Sequence, residues 1–186
     1  KRLRLVKLNE REIPTFSVED ALIILSLHGT KDFWERFSWI ADISELIQRY
    51  PNLNWSVTIA RAKAHQAERI LHVALLLAIN LMDTPLPEEI LPRLKADRTA
   101  NDLASEVWTA LMRRNYISLN ATGRFNFRRR MLPGAIDGWR YAVRLSVVPA
   151  EEDYEMIRLP SIFSPLYIAL RPLRLLRKYG FSWRKA

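Results

Sequence analysis

The 186-residue chain has no cysteine, five glycines and three histidines. Without cysteine there is neither a disulfide framework nor a thiolate metal site, which fits a reducing compartment. So few glycines argue against a turn-rich β-sandwich and against a glycine-lined phosphate loop. No apolar run is long enough to span a membrane. The longest, ILHVALLLAINLM at 70–82, includes His72 and Asn80 and falls short of the roughly 20 residues a bilayer requires. It reads instead as a buried helix. The opening KRLRLVKLNERE has no apolar core of an export signal, so a cytoplasmic location is expected. The chain lacks an initiating Met, and a fragment or a processed form is expected.

Catalytic signatures are also missing. There is no serine nucleophile elbow, no phosphate-loop pattern and no Asp-x-Asp pair to hold magnesium for phosphoryl or nucleotidyl transfer. His65, Glu68 and His72 could share one helix face, but without cysteine or zinc-hydrolase spacing they read as ordinary helix-surface residues. No metal ligand and no catalytic residue is assigned to this chain.

What is present is 49% hydrophobic residues and a net charge of +9, enough apolar content for a real core. The charge is uneven. Residues 1–119 hold 16 Lys and Arg against 15 Asp and Glu, and residues 120–186 hold 13 against 5. A positive field of that kind attracts phosphate, nucleic acid or anionic lipid, and also keeps proteins soluble.

The patterning predicts a mainly α fold, an irregular bundle of about eight helices behind a short N-terminal strand or hairpin. Residues 3–16 alternate loosely around a turn at NERE and would form the hairpin, which is barely stable without a sheet partner. Ser17 caps a first helix, buried on most sides, with Glu19 and Asp20 in its first turn. A second helix is expected over 31–49, stopped by Pro51. Asn54 caps a third, ERILHVALLLAINLM forms a fourth and PEEILPRL a short fifth. Thr99 or Asn101 opens a sixth. RFNFRRR at 124–130 reads as a basic loop, residues 136–147 return to helical spacing, and PAEEDYEMIRLP is an acidic linker. Two short helices hinged at Pro172 close the chain. Three sections follow: a hairpin (1–16), a helical core (17–119) and a basic C-terminal section (120–186).

Two stretches stand out. In HGTKDFWERFSWIAD, residues 28–42, a helix would align His28, Lys31, Asp32, Glu35, Trp39 and Asp42 on one stripe, opposite Phe33, Phe37, Ile40 and Ile47. Lys31 with Glu35, and Asp32 with Arg36, would be i,i+4 ion pairs worth about 0.3–0.5 kcal/mol each. The plain reading is a salt-bridged surface, but Trp39 within a charged stripe calls for something to cover. In RFNFRRR, the basic surface residues Arg124, Arg128, Arg129 and Arg130 interleave with phenylalanine, the chemistry of nucleotide or single-strand binding. The terminal RPLRLLRKYGFSWRKA suits an anionic membrane surface.

SVEDALIILSLHGTKDFWERFSWIADISELI resembles the C-terminal half of an uncharacterised bacterial nucleotidyltransferase family in the polymerase-β-like superfamily. The residues carrying the resemblance are Ser17, Glu19, Asp20, His28, Gly29, Lys31, Trp34, Arg36, Trp39 and Asp42. Looser similarity runs through NWSVTIARAKAHQAERILHVALLLAINLMDTPLP and RLPSIFSPLYIALRPLRLLRKYG, so that it extends from about residue 3 to 180. Asp32 stands where family members often have a second histidine. The resemblance implies a helical accessory half packed on an upstream catalytic domain that this chain lacks. The whole protein would use magnesium to transfer a nucleotidyl group from a nucleoside triphosphate to a hydroxyl acceptor. His28, Lys31, Arg36, Trp39 and Asp42 would be the substrate-facing residues, with Lys31 offering charge to the triphosphate. The competing expectation is a non-enzymatic basic helical module for nucleic acid, a protein partner or an anionic membrane.

Overall fold

A computed structural model describes residues 3–112, 121–132 and 134. The chain divides into two units, 1–133 and 134–186, and the described helices and strands all belong to the first. The expected helix over 136–147, the acidic linker and the closing helices lie outside the described residues.

The described part is mainly α, with a hairpin followed by seven helices. Strands β1 (Leu3–Leu8) and β2 (Arg11–Phe16) pair antiparallel, from Leu3 opposite Phe16 to Leu8 opposite Arg11. The two-residue turn places Asn9 at φ 56°, a conformation asparagine tolerates well. Side chains alternate across a strand, so Leu3, Leu5, Pro14 and Phe16 share one face. Leu3, Leu5 and Phe16 are all more than half exposed. The other face turns Arg4 toward the helices, where its guanidinium lies 4.9 Å from the centre of the Tyr50 ring. Among the described residues the sheet has only these two strands.

Helix α1 (Val18–Lys31) begins at the expected cap, with the Ser17 hydroxyl accepting from the Asp20 amide at 3.2 Å. Its buried face is Leu22, Ile23, Ser26, Gly29 and Thr30, and the Ser26 hydroxyl donates to the Leu22 carbonyl at 2.7 Å. The helix is less enclosed than its sequence suggested, since Ile24 and Leu27 are exposed. Helix α2 runs Phe37–Arg49 and α3 Trp55–Ala64, the latter capped by Asn54, whose Oδ1 accepts from the Val57 amide at 3.0 Å. Arg61 of α3 reaches back to α1, donating to Ser17 Oγ at 2.8 Å and pairing with Asp20 at 3.2 Å.

Helix α4 (Glu68–Met82) is the axis of the unit. Every residue from Ile70 to Ala78 is buried, and α1, α2, α3, α5 and α6 pack around it. A helix apolar on nearly every side must be surrounded, which is why the 70–82 run forms the centre. Among the described residues no helix is long and apolar enough to cross a membrane. Helices α5 (Leu91–Ala96) and α6 (Arg98–Met112) follow. The cap of α6 is Asp97, whose Oδ1 accepts from the Ala100 amide at 3.0 Å, rather than Thr99 or Asn101. The expected basic loop is instead helix α7 (Ala121–Met131), anchored by the buried Phe127 and Met131.

Candidate functional site: a cationic cleft at the end of the first helix

The expected continuous helix over 31–49 does not form. Helix α1 stops at Lys31 and α2 begins at Phe37. The Trp34 amide donates to the Gly29 carbonyl at 2.8 Å and the Phe33 amide to the Thr30 carbonyl at 3.2 Å. This pair of bonds is a Schellman ending, in which one residue past the cap takes the left-handed conformation. Glycine usually occupies that position, but here it is Phe33 at φ 57°, and Trp34 follows at φ 56°. Each such conformation in an L-residue with a bulky side chain is unfavourable by roughly 1–2 kcal/mol. The rings offset this. Trp34 is fully buried and lies against Gly29, where a Cβ would meet its ring carbons at 2.5 Å. Phe33 is buried against Phe127 of α7, with ring centres 5.4 Å apart.

The break dissolves the expected stripe. Phe33 does not line up with Phe37, which is exposed. The Lys31–Glu35 and Asp32–Arg36 ion pairs are not made among the described residues, because i,i+4 proximity requires an unbroken helix between the partners. Instead Lys31, Asp32, Phe33, Glu35, Arg36 and Trp39, joined by Arg124 and Arg128 of α7, line a cleft of about 300 Å³. Arg124 and Arg128 are one helical turn apart, so both face the same way. Their guanidinium groups lie over the Phe33 ring at 5.4 and 5.0 Å, and that of Arg36 lies over Trp39 at 5.8 Å. Arg128 Nη2 also donates to the Lys31 carbonyl at 2.9 Å, placing a cation at the negative end of the α1 dipole.

The sequence-derived candidates are therefore divided. Lys31, Arg36, Trp39, Arg124 and Arg128 meet at the cleft. His28 does not line it, but stands edge-on to Trp39 at 5.1 Å and 73°. Asp42 is exposed further along α2, outside the lining. Arg130 turns to Glu106 of α6 at 2.6 Å, and Arg129 is exposed outside the cleft.

A second polar cluster escaped the sequence reading. His72 is buried rather than a surface residue, and its Nδ1 lies 3.0 Å from Asp97 Oδ2. Arg69 contacts Asp97 Oδ1 at 3.3 Å and donates to the carbonyls of Arg130 and Leu132, both at 2.8 Å. Burial opposes ionisation of Asp97, but the His72 bond, the Ala100 amide and the Arg69 charge together hold its carboxyl below the ordinary 3.8. This cluster fastens the end of α7 to α4 and thereby helps set where Arg124 and Arg128 sit. The signal in the sequence was Arg69 and His72 three apart on α4, one polar stripe on an otherwise apolar helix. His65 does not share that helix face, since it caps the end of α3, whereas Glu68 opens α4 one turn before His72. Among the described residues no three His, Asp or Glu side chains converge on a metal-sized site.

No curated protein and no solved structure matches the chain. Family comparison does give a match, narrower than the 3 to 180 suggested by the resemblance and ending beyond α4 before α5 and α7. Over residues 1–83, which contain the hairpin and the whole α1–α2 wall of the cleft, the chain matches the sequence model of an uncharacterised nucleotidyltransferase family.

Proposed function

We propose that this chain is the helical accessory half of a nucleotidyltransferase-like protein, whose whole form transfers a nucleotidyl group from a nucleoside triphosphate to a hydroxyl acceptor. The observation that carries the reading is the family match over residues 1–83, which includes the residues that form one wall of the cleft. Nucleotidyl transfer of this type calls for paired carboxylates and magnesium. Among the described residues no three His, Asp or Glu side chains group closely enough to hold a metal ion, and no metal-dependent step is assigned to them. The catalytic carboxylates would belong to an upstream domain, to which the exposed face of the hairpin is adjacent in sequence. Lys31, Arg36 and Trp39 would then face the substrate, with His28 bracing Trp39.

The test compares this chain with a longer protein that includes the preceding coding sequence, each supplied with labelled nucleoside triphosphate and magnesium. Transfer by the longer protein alone is the expected result. The reading fails if the longer protein carries no paired aspartates and transfers nothing. The rival reading, a nucleic-acid module, draws on the arginine–aromatic stacking of the cleft. It expects tight binding of single-stranded nucleic acid that weakens steeply with salt.

A further inference from the structure

We infer that the cleft between the end of α1 and α7 is a binding site for the phosphate tail of a small ligand, and that α7, outside the family-matched residues, completes it. The inference deepens the reading above, and rests on it only in naming a nucleotide as the carrier of the phosphates.

Four of the eight lining residues are cations, Lys31, Arg36, Arg124 and Arg128, against two acids, Asp32 and Glu35. They come from three places in the sequence, and Lys31 and Arg128 are brought together across 97 residues. Lys31 and Arg36 are matched in number by Asp32 and Glu35, so the positive excess of the cleft is brought by Arg124 and Arg128 of α7, from the basic section of the chain. The end of α1 would by itself repel an anion, because its last carbonyls form the negative pole of the helix. Arg128 bonds one of those carbonyls and reverses the local sign.

The aromatic residues act as platforms. A guanidinium stacked on a ring uses its face, while its donors lie in its plane and suit the paired oxygens of phosphate. Three arginines are held over rings here. The left-handed turn at Phe33 is what puts its ring beneath two of them, so local strain is spent on assembling the cleft. At about 300 Å³ the volume is at the small end for ligand clefts. That suits two or three phosphates better than a polymer.

The experiment is calorimetric titration of the full chain, without magnesium, with pyrophosphate, ATP, adenosine and a single-stranded oligonucleotide series. Pyrophosphate and ATP should bind at one site, adenosine should not, and affinity should not grow with oligonucleotide length. Lys31→Met, Arg36→Gln and Arg124→Gln should each weaken pyrophosphate about ten-fold or more, as for loss of a charge-assisted bond. Arg124→Lys keeps charge and stem but not the fork, and should fall between. Arg49→Gln removes a charge outside the cleft, where Arg49 pairs with Glu45, and should change affinity less than about two-fold. Melting curves confirm that each variant is folded. The inference is overturned if neither phosphate ligand binds, if adenosine binds as well as ATP, if affinity rises with oligonucleotide length, or if Arg49→Gln weakens binding as much as Lys31→Met. Binding of pyrophosphate with no nucleotidyl transfer by the longer protein would leave this inference standing and remove the reading above.

Discussion

Gly29 shows how far one missing Cβ determines the site. Alanine in a helix ordinarily gains about 1 kcal/mol over glycine. Here the added carbon would lie 2.5 Å from the buried Trp34 ring, and that ring has no room to retreat. Gly29→Ala should therefore destabilise the chain by about 1–3 kcal/mol, read as a lower urea midpoint. Asp97 makes a prediction of a different kind. Its folded carboxyl titrates below the ordinary 3.8, so its contribution is fully present above that value and is lost as pH falls through the lower, folded value. Stability of the native chain should drop on acidification below about pH 4, and Asp97→Asn should flatten that part of the profile in urea melts taken across the range. The cap on α6 survives in that variant, because asparagine can still accept from the Ala100 amide.

Among the elements, α1 is held at its two ends by different means. At its start Ser17 serves two partners, the Asp20 amide and the Arg61 guanidinium of α3. Ser17→Ala removes both and should lower stability by about 1–2 kcal/mol, whereas Asn54→Ala, which removes a single cap bond, should fall nearer 1 kcal/mol. Chemical denaturation of the two variants side by side checks the order. At its end α1 depends on a Schellman turn whose left-handed residue is a phenylalanine. A sequence reader looks for glycine or proline at a helix end, and neither stands between Lys31 and Phe37. The charges at 28–42 fitted a continuous helix, and what favours the break is burial of the Trp34 ring against Gly29 and of the Phe33 ring against Phe127 of α7, far along the chain. For the same reason α7 was unreadable. FNFRRR has little helical amphipathicity, and its place is set by Phe127 and Met131 in the core and by Arg69 on its last carbonyls.

At the scale of the unit, a single apolar helix organises everything around it. The hairpin is the exception: its outer face of Leu3, Leu5 and Phe16 is mostly exposed. Replacing Leu5 with Thr should change stability by less than about 0.5 kcal/mol, measured by thermal melting. A larger loss would show that the face is covered. By contrast, Leu75→Ala in α4, where the side chain is almost wholly buried, should lose about 2–5 kcal/mol. The two measurements together map where the core ends.

The residues alone determined the hairpin, the caps at Ser17 and Asn54, the buried run at 70–82 and the mainly helical class. Each of these follows from alternation, helical spacing or a short-range bond. Charge and aromatic neighbours drew attention to Lys31 and Trp39 in one stretch and to Arg124 and Arg128 in another, and the family resemblance added Arg36. Tertiary structure decided that these residues meet. It broke the helix at Phe33, folded RFNFRRR into α7 and carried Arg128 to the Lys31 carbonyl. Contacts between residues so far apart in the chain leave no periodic trace, because the energy that selects them comes from burial of rings and pairing of charges in three dimensions.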